Sequence, residues 1–280
     1  MPQWGTFAGV TGVVLLLLLV LSHLTTTAFE ESQAASADSR STGGNEPTLE
    51  SDGALEGTER VGPAPDAGDI AADRPTVDSL STGELLANVA FSQGLFAGVL
   101  IGAAIYSGIP AEALGIEFSS EYLVTGVVLG VGFGVALYVA NELGAASAKR
   151  FGIDHDEQLR EMLAPDSIGG WLVLLVVVLP IIALFEELLF RAALIGVLSA
   201  GFDVSPWLLA VGSSIVFGFG HGVQGTAGIV VTGVLGFVLA AVFIYTGSLL
   251  VVVVAHYLIN AFEFVVHEGL DLEWAETAGG

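Results

Sequence analysis

Glu186 and Glu187 stand side by side, with Arg191 four residues on, between two apolar runs at 168–184 and 192–202. Desolvating an ion in hydrocarbon is costly, so three charges at such a place need a reason. On a helix Glu187 and Arg191 share a face and can pair. Glu186 points about 100° away from Glu187 and is left free for other work. Two histidines and an amide complete the set. From Val204 to Phe262 the chain has no Asp, Glu, Lys or Arg, and its only histidines there are His221 and His256. Phe217 precedes His221 by four residues and Asn260 follows His256 by four, so each pair shares a helix face.

A carboxylate and an imidazole can hold and deprotonate a water, each as a general base. A second imidazole and an amide can donate hydrogen bonds to a developing oxyanion, which usually lowers the barrier most. Together these groups suffice for peptide hydrolysis. Two histidines and a glutamate are also a familiar zinc set with a position open for water. At this level a metal-free glutamate mechanism and a metal mechanism stand side by side. Each residue also has a plain structural role open to it. Glu187 with Arg191 can tie a helix together, and a single buried His or Asn can lock two helices. The joint pattern on three polar-poor segments is what favours chemistry.

Apolar spans must carry these residues. Of the 280 residues, 53% are hydrophobic and only 13% charged, with a mean hydropathy of +0.78. That is about half the charge of an ordinary soluble chain. The expectation is an all-α fold, a polytopic membrane helix bundle of about seven or eight transmembrane helices, in a multi-pass cell-membrane protein. Residues 1–28 form a first helix, with the span at about 5–24 and His23 near its interfacial end. No basic n-region or clear cleavage site marks it as a secretory signal. Residues 29–84, rich in Ser, Gly, Ala, Pro and acids, read as a disordered linker. Residues 85–166 hold a second span (85–109) and a third (122–140). In the third, Gly126, Gly130, Gly132 and Gly134 allow close helix approach. A polar loop at 142–166 follows, and its Lys149, Arg150 and Arg160 would place it in the cytoplasm.

Residues 167–268 form the core. Its long run 168–202 contains Pro180, which is expected to kink the helix, with a second helix or half-helix after the acids. Three further spans fit 206–222, 226–245 and 249–266. Residues 269–280 are an acidic tail. The chain has no cysteine, which removes disulfides and thiolate chemistry. Its net charge of −23 opposes nucleic acid as a partner. With one lysine against thirty acids, the bias resembles that of proteins from salt-loving archaea, whose acidic surfaces stay hydrated.

The three motifs Glu186-Glu187-Leu188-Leu189-Phe190-Arg191, Phe217-Gly218-Phe219-Gly220-His221 and His256-Tyr257-Leu258-Ile259-Asn260 resemble those of the CAAX protease and bacteriocin-processing family of intramembrane proteases. That family includes the Ras-converting prenyl-protein endopeptidases. The likeness covers about 168–266, and Ala192 departs from the glycine common after the arginine. The resemblance implies that Glu186 and His221 activate the water, and that His256 and Asn260 stabilise the oxyanion. It further implies that Glu187 and Arg191 orient the site and that Phe217 shapes it. If zinc is present, Glu186, His221 and His256 are its ligands. The implied partners are the lipid bilayer and a peptide or protein substrate, prenylated or not. His155, His267 and Glu263 fit the set less well, Glu263 being at most an accessory. Two other function classes remain: a non-proteolytic membrane scaffold or immunity-type protein with a vestigial site, and an ion transporter. The transporter reading explains the buried ionisable groups but not Asn260.

Overall fold

The protein is described by a computed structural model, in residues 1–42, 81–150 and 158–272. It divides into two units, residues 1–25 with 81–280 and residues 26–80; the first holds every residue named above except His155, which lies outside the described residues. Among the described residues all regular structure is helical. The elements are α1 (Trp4–Thr42), α2 (Thr82–Tyr106), α3 (Ser120–Arg150), the short α4 (Gln158–Leu163), α5 (Ile168–Phe202), α6 (Pro206–Gly220), α7 (Gly225–Thr246) and α8 (Leu249–Glu263). A π-helical turn, Phe264–Gly269, extends α8. Among the described residues six helices are long and apolar enough to cross a membrane, and α6, at 15 residues, is a shorter seventh apolar helix. The chain is a multi-pass helical membrane protein.

Two boundaries differ from expectation. The first helix does not stop at its apolar run but continues to Thr42, through Glu30, Glu31, Gln33, Ala34 and Ala35. These are good helix formers, so local propensity carries the helix past the end of its hydrophobicity. The expected linker therefore begins later than 29, and its remainder, 43–80, lies outside the described residues. At its far end Ser81 and Glu84 form a reciprocal capping box that starts α2.

The second difference concerns α5. No second helix follows the acids; the run 168–202 is one continuous 35-residue helical segment. Two π-helical stretches interrupt its α-geometry, Leu174–Val178 and Leu188–Val197. The first ends just before Pro180, which sits at the opening of the following α-helical stretch Leu179–Glu187. Proline lacks an N–H and crowds the preceding turn, and a widened turn accommodates both defects without breaking the helix.

The second half of α5 is the centre of the bundle. Phe185, Leu188, Leu189, Phe190, Ala192 and Ala193 are all buried, and α2, α6 and α8 pack against this helix. Helix α1 belongs to the same core through Phe7 and Val14, and its Ser22 hydroxyl donates to the Gly220 carbonyl at 2.7 Å. Helix α3 lies along α8, and the glycines explain how. A Cβ at Gly126, Gly130 or Gly134 would come within 2.6–2.9 Å of Leu250, Val254 or Leu258, whereas one at Gly132 would meet nothing. Three of the four glycines form the expected seam at i,i+4 spacing. The opposite side of α3 presents Leu123, Val124, Val127 and Val128 outward, as a lipid-facing surface does.

The start of α8 sets the depth of its functional residues. The first N–H groups of a helix lack intrahelical partners, and hydrocarbon supplies none. Here the Leu249 N–H donates to the Gly115 carbonyl at 2.8 Å and the Leu250 N–H to the Tyr122 hydroxyl oxygen at 3.1 Å. Ser248 takes the Val251 N–H. Gly115 is in the left-handed region, at φ 70°, where a side chain would be strained.

Candidate active site

The α-helical stretch Leu179–Glu187 ends on the two acids, and the next ten residues wind with the wider i→i+5 turn. Such turns inside long helices often occur at functional sites, because they disturb the regular ladder and re-aim side chains. One carbonyl of this stretch has an outside partner: the Ser213 hydroxyl of α6 donates to the Phe190 carbonyl at 2.8 Å.

Glu187 is the hub of the group. Its Oε1 accepts from Arg191 Nη1 at 2.8 Å and from His256 Nδ1 at 2.7 Å. An ionised carboxylate only accepts, so Nδ1 of His256 carries its proton there. Glu187 is 0% and Arg191 1% exposed. The guanidinium also donates through Nη2 to the Gly236 carbonyl of α7 at 2.9 Å, and lies 4.7 Å from the centre of the Phe217 ring. A desolvated cation–π contact of this kind is worth about 2 kcal/mol. A Cβ at Gly236 would stand 2.8 Å from Phe217 Cδ1, so glycine is required for this approach.

Glu186 is buried but differently placed. Its Oε2 lies 3.6 Å from His256 Nε2, which is beyond hydrogen-bond reach, and has no other partner. An unpaired buried carboxylate oxygen is costly, by about 1–3 kcal/mol or more.

His221 follows the last turn of α6. Its Nδ1 lies 2.9 Å from the Phe217 carbonyl oxygen, which can only accept, so Nδ1 is again the protonated nitrogen and Nε2 carries the lone pair. Nothing in the described residues hydrogen-bonds that Nε2. The Phe217 ring approaches both imidazoles, 4.7 Å from His221 and 6.2 Å from His256 between ring centres. Phe190 meets it edge-on at 4.9 Å. Asn260 lies one turn past His256, half-buried, with its side-chain amide making no hydrogen bond to the described residues.

The structure thus joins Glu186, Glu187, Arg191, Phe217 and His256 through direct contacts or near approaches. It brings His221 in through Phe217 and leaves Asn260 adjacent on α8. Glu187 does more than its spacing announced, because it holds His256 as well as Arg191. Two contributors had no signal in the sequence: the Gly236 carbonyl, a backbone atom, and Ser213, whose partner is created by the π turn.

The zinc set fits less well. Glu186, His221 and His256 do not bring three ligand atoms within 4.8 Å of one another; among the described residues only Glu142, Glu263 and His267 do so. Both histidine Nδ1 atoms are already engaged.

Fold and site together define a polytopic helical membrane protein with an ion-bearing, histidine-bearing group buried among its helices. Residues 168–262 match the family model described as type II CAAX prenyl endopeptidase Rce1-like. All seven residues of the group lie within that match, which points to CAAX-type intramembrane protease activity and so to a peptide substrate. Comparisons with curated proteins and with solved structures gave no match.

Proposed function

We propose that the chain is an intramembrane endopeptidase that cuts a peptide bond near the C-terminus of a membrane-associated, CAAX-type substrate, using a water activated by Glu186 and His221. The observation that carries this reading is that no described residue hydrogen-bonds the buried Glu186, whereas Glu187 Oε1 takes both Arg191 and a histidine that it orients beside Glu186. Both acids keep one buried oxygen without a partner, but only Glu186 has no donor at all and so is free for a water. Glu186 takes a proton from the water as its oxygen bonds to the substrate carbonyl carbon. Charge moves to the carbonyl oxygen, where the Asn260 amide and His256 Nε2–H donate to it. Glu187, on Nδ1, supports the doubly protonated form of His256 that this donation needs. Collapse breaks the C–N bond, and the proton held by Glu186 passes to the leaving amine.

The test uses the purified full chain in detergent, with peptides ending in a CAAX sequence, prenylated and unprenylated. Glu186→Gln is nearly isosteric but cannot act as a base, so it should abolish cleavage without lowering the melting temperature. Full activity in Glu186→Gln overturns the proposal. So does a wild type that cleaves no peptide while its biological role survives the substitution, which supports the scaffold reading. Activity that persists after chelation supports the metal-free mechanism; loss restored by zinc refutes it.

A further inference from the structure

A second gathering of ligand-type side chains lies away from the catalytic group, where the end of α3 meets the end of α8. His267 Nε2 is 2.8 Å from Glu142 Oε1 and 3.7 Å from Glu263 Oε2. One ligand atom from each of the three residues lies within 4.8 Å of the others. A tetrahedral zinc-sized ion with bonds of about 2.0–2.2 Å needs ligand atoms roughly 3.3–3.5 Å apart. The two His267 separations, 2.8 and 3.7 Å, lie on either side of that value, and the carboxylate pair is within 4.8 Å.

The ligands are also held. Asn141 Nδ2 donates to Glu263 Oε1 at 2.7 Å, and Arg160 of α4 donates from Nη1 to Glu263 Oε2 at 3.2 Å. Arg160 Nε donates to Glu268 Oε1 at 2.7 Å. The Glu142 side chain is only 6% exposed. Charge points the same way: Glu142, Glu263 and Glu268 are three carboxylates, and among the described residues Arg160 is the one arginine or lysine bonded to them. The three carboxylates outnumber Arg160 and His267 together, in a half-buried setting where uncompensated charge is unfavourable. A divalent cation removes that excess.

We propose that Glu142, Glu263 and His267 form a binding site for a divalent transition-metal ion of the zinc class, one imidazole and two carboxylates with a position left for water. Its entry replaces the His267–Glu142 hydrogen bond and moves the imidazole proton from Nε2 to Nδ1. The bound ion pins α8 to α3 just beyond Asn260. The site is separate from the catalytic group and does not depend on the hydrolase reading.

Chelator-stripped full chain in detergent, with excess Mg²⁺ to mask its acidic surface, is titrated with Co²⁺ and followed by visible ligand-field absorption. The expected result is one equivalent bound, displaced by Zn²⁺, with a raised melting temperature. Glu142→Gln and His267→Gln should weaken binding at least tenfold. Glu268→Gln removes the same charge but no ligand and should bind as wild type does, and Glu186→Gln should too. Absence of a one-equivalent Co²⁺ signal in wild type overturns the proposal, whatever the variants do. Equal losses in Glu268→Gln and Glu142→Gln also overturn it, by reducing the effect to general acidity. Loss in Glu186→Gln alone would move the metal to the catalytic group and refute this assignment.

Discussion

Replacing Glu187 by glutamine separates two jobs that one carboxylate oxygen performs. Oε1 receives both Arg191 Nη1 and His256 Nδ1, at 2.8 and 2.7 Å, with Glu187 and Arg191 almost fully buried. In Glu187→Gln the amide oxygen can still accept from His256, but Arg191 loses its counter-charge. The uncharged Gly236 carbonyl and Phe217 ring remain to it, and Glu186 acts on it only at a distance, with no hydrogen bond between them. Stranding one member of a buried ion pair costs about 3–5 kcal/mol. For a folded unit of this size that is a fall of roughly 6–20 °C in melting temperature. The second substitution, Arg191→Met, removes the stranded charge and fills its volume with apolar atoms. Such replacement of a whole buried pair is often neutral, so Glu187→Gln/Arg191→Met should recover most of the lost stability.

Activity should not follow stability. A glutamine at 187 orients His256 but cannot support its doubly protonated form, so cleavage in the double variant should stay down by on the order of 10²–10⁴-fold. Thermal unfolding in detergent and peptide cleavage by the same samples read the two effects separately. If the double variant regains activity along with stability, Glu187 is only the partner of Arg191 and the link to His256 has no chemical role. If Glu187→Gln alone leaves the melting temperature unchanged, the pair is not desolvated as described.

Three further substitutions test the scaffold. Ser213→Ala leaves the Phe190 carbonyl of the π turn without its hydroxyl donor, and should lower stability by about 0.5–2 kcal/mol in a thermal melt, with a smaller change in activity. Gly130→Ala drives a methyl into Val254 and the Val251 carbonyl, whereas Gly132→Ala meets nothing. Overpacking of this kind costs about 1–3 kcal/mol, so the first should destabilise the α3–α8 seam and the second should leave the melting temperature unchanged or raise it.

What the sequence disclosed depended on how local the cause was. Apolar runs long enough to cross hydrocarbon marked α2, α3, α7 and α8 to within a few residues, apart from the polar last turns of α3, because burial in lipid requires unbroken hydrophobicity. The Glu187–Arg191 pair was visible from i,i+4 spacing alone. The glycine seam was visible too, but not which glycines belong to it. Gly126, Gly130 and Gly134 repeat every four residues and face α8, while Gly132 falls on another face, a distinction that only the partner helix makes. The π turns of α5 were not legible, because what accommodates them lies elsewhere in the bundle: the Phe190 carbonyl of the second finds its donor in Ser213 of α6. The end of α1 was missed for the opposite reason. There local propensity outlasted the hydrophobic signal that had been used to place the boundary.

The two adjacent acids show how far pattern goes and where geometry takes over. Glu186 and Glu187 have the same chemistry, lie on the same helix and are both nearly buried. Two like charges so placed cannot both go uncompensated in a medium that solvates ions poorly. Arg191, four residues on, compensates Glu187 and is itself fixed by Gly236 and Phe217 from two other helices. His256 then adds a second donor to the same Glu187 oxygen, which leaves its ring facing Glu186. The two donors that reach a carboxylate in this group, Arg191 Nη1 and His256 Nδ1, both go to Glu187 Oε1, and no described residue hydrogen-bonds Glu186. One oxygen of each acid is buried without a partner, so the asymmetry lies in the two donors on Glu187 Oε1, and that asymmetry, with no difference in residue type, underlies the proposal that Glu186 is the carboxylate that takes the water.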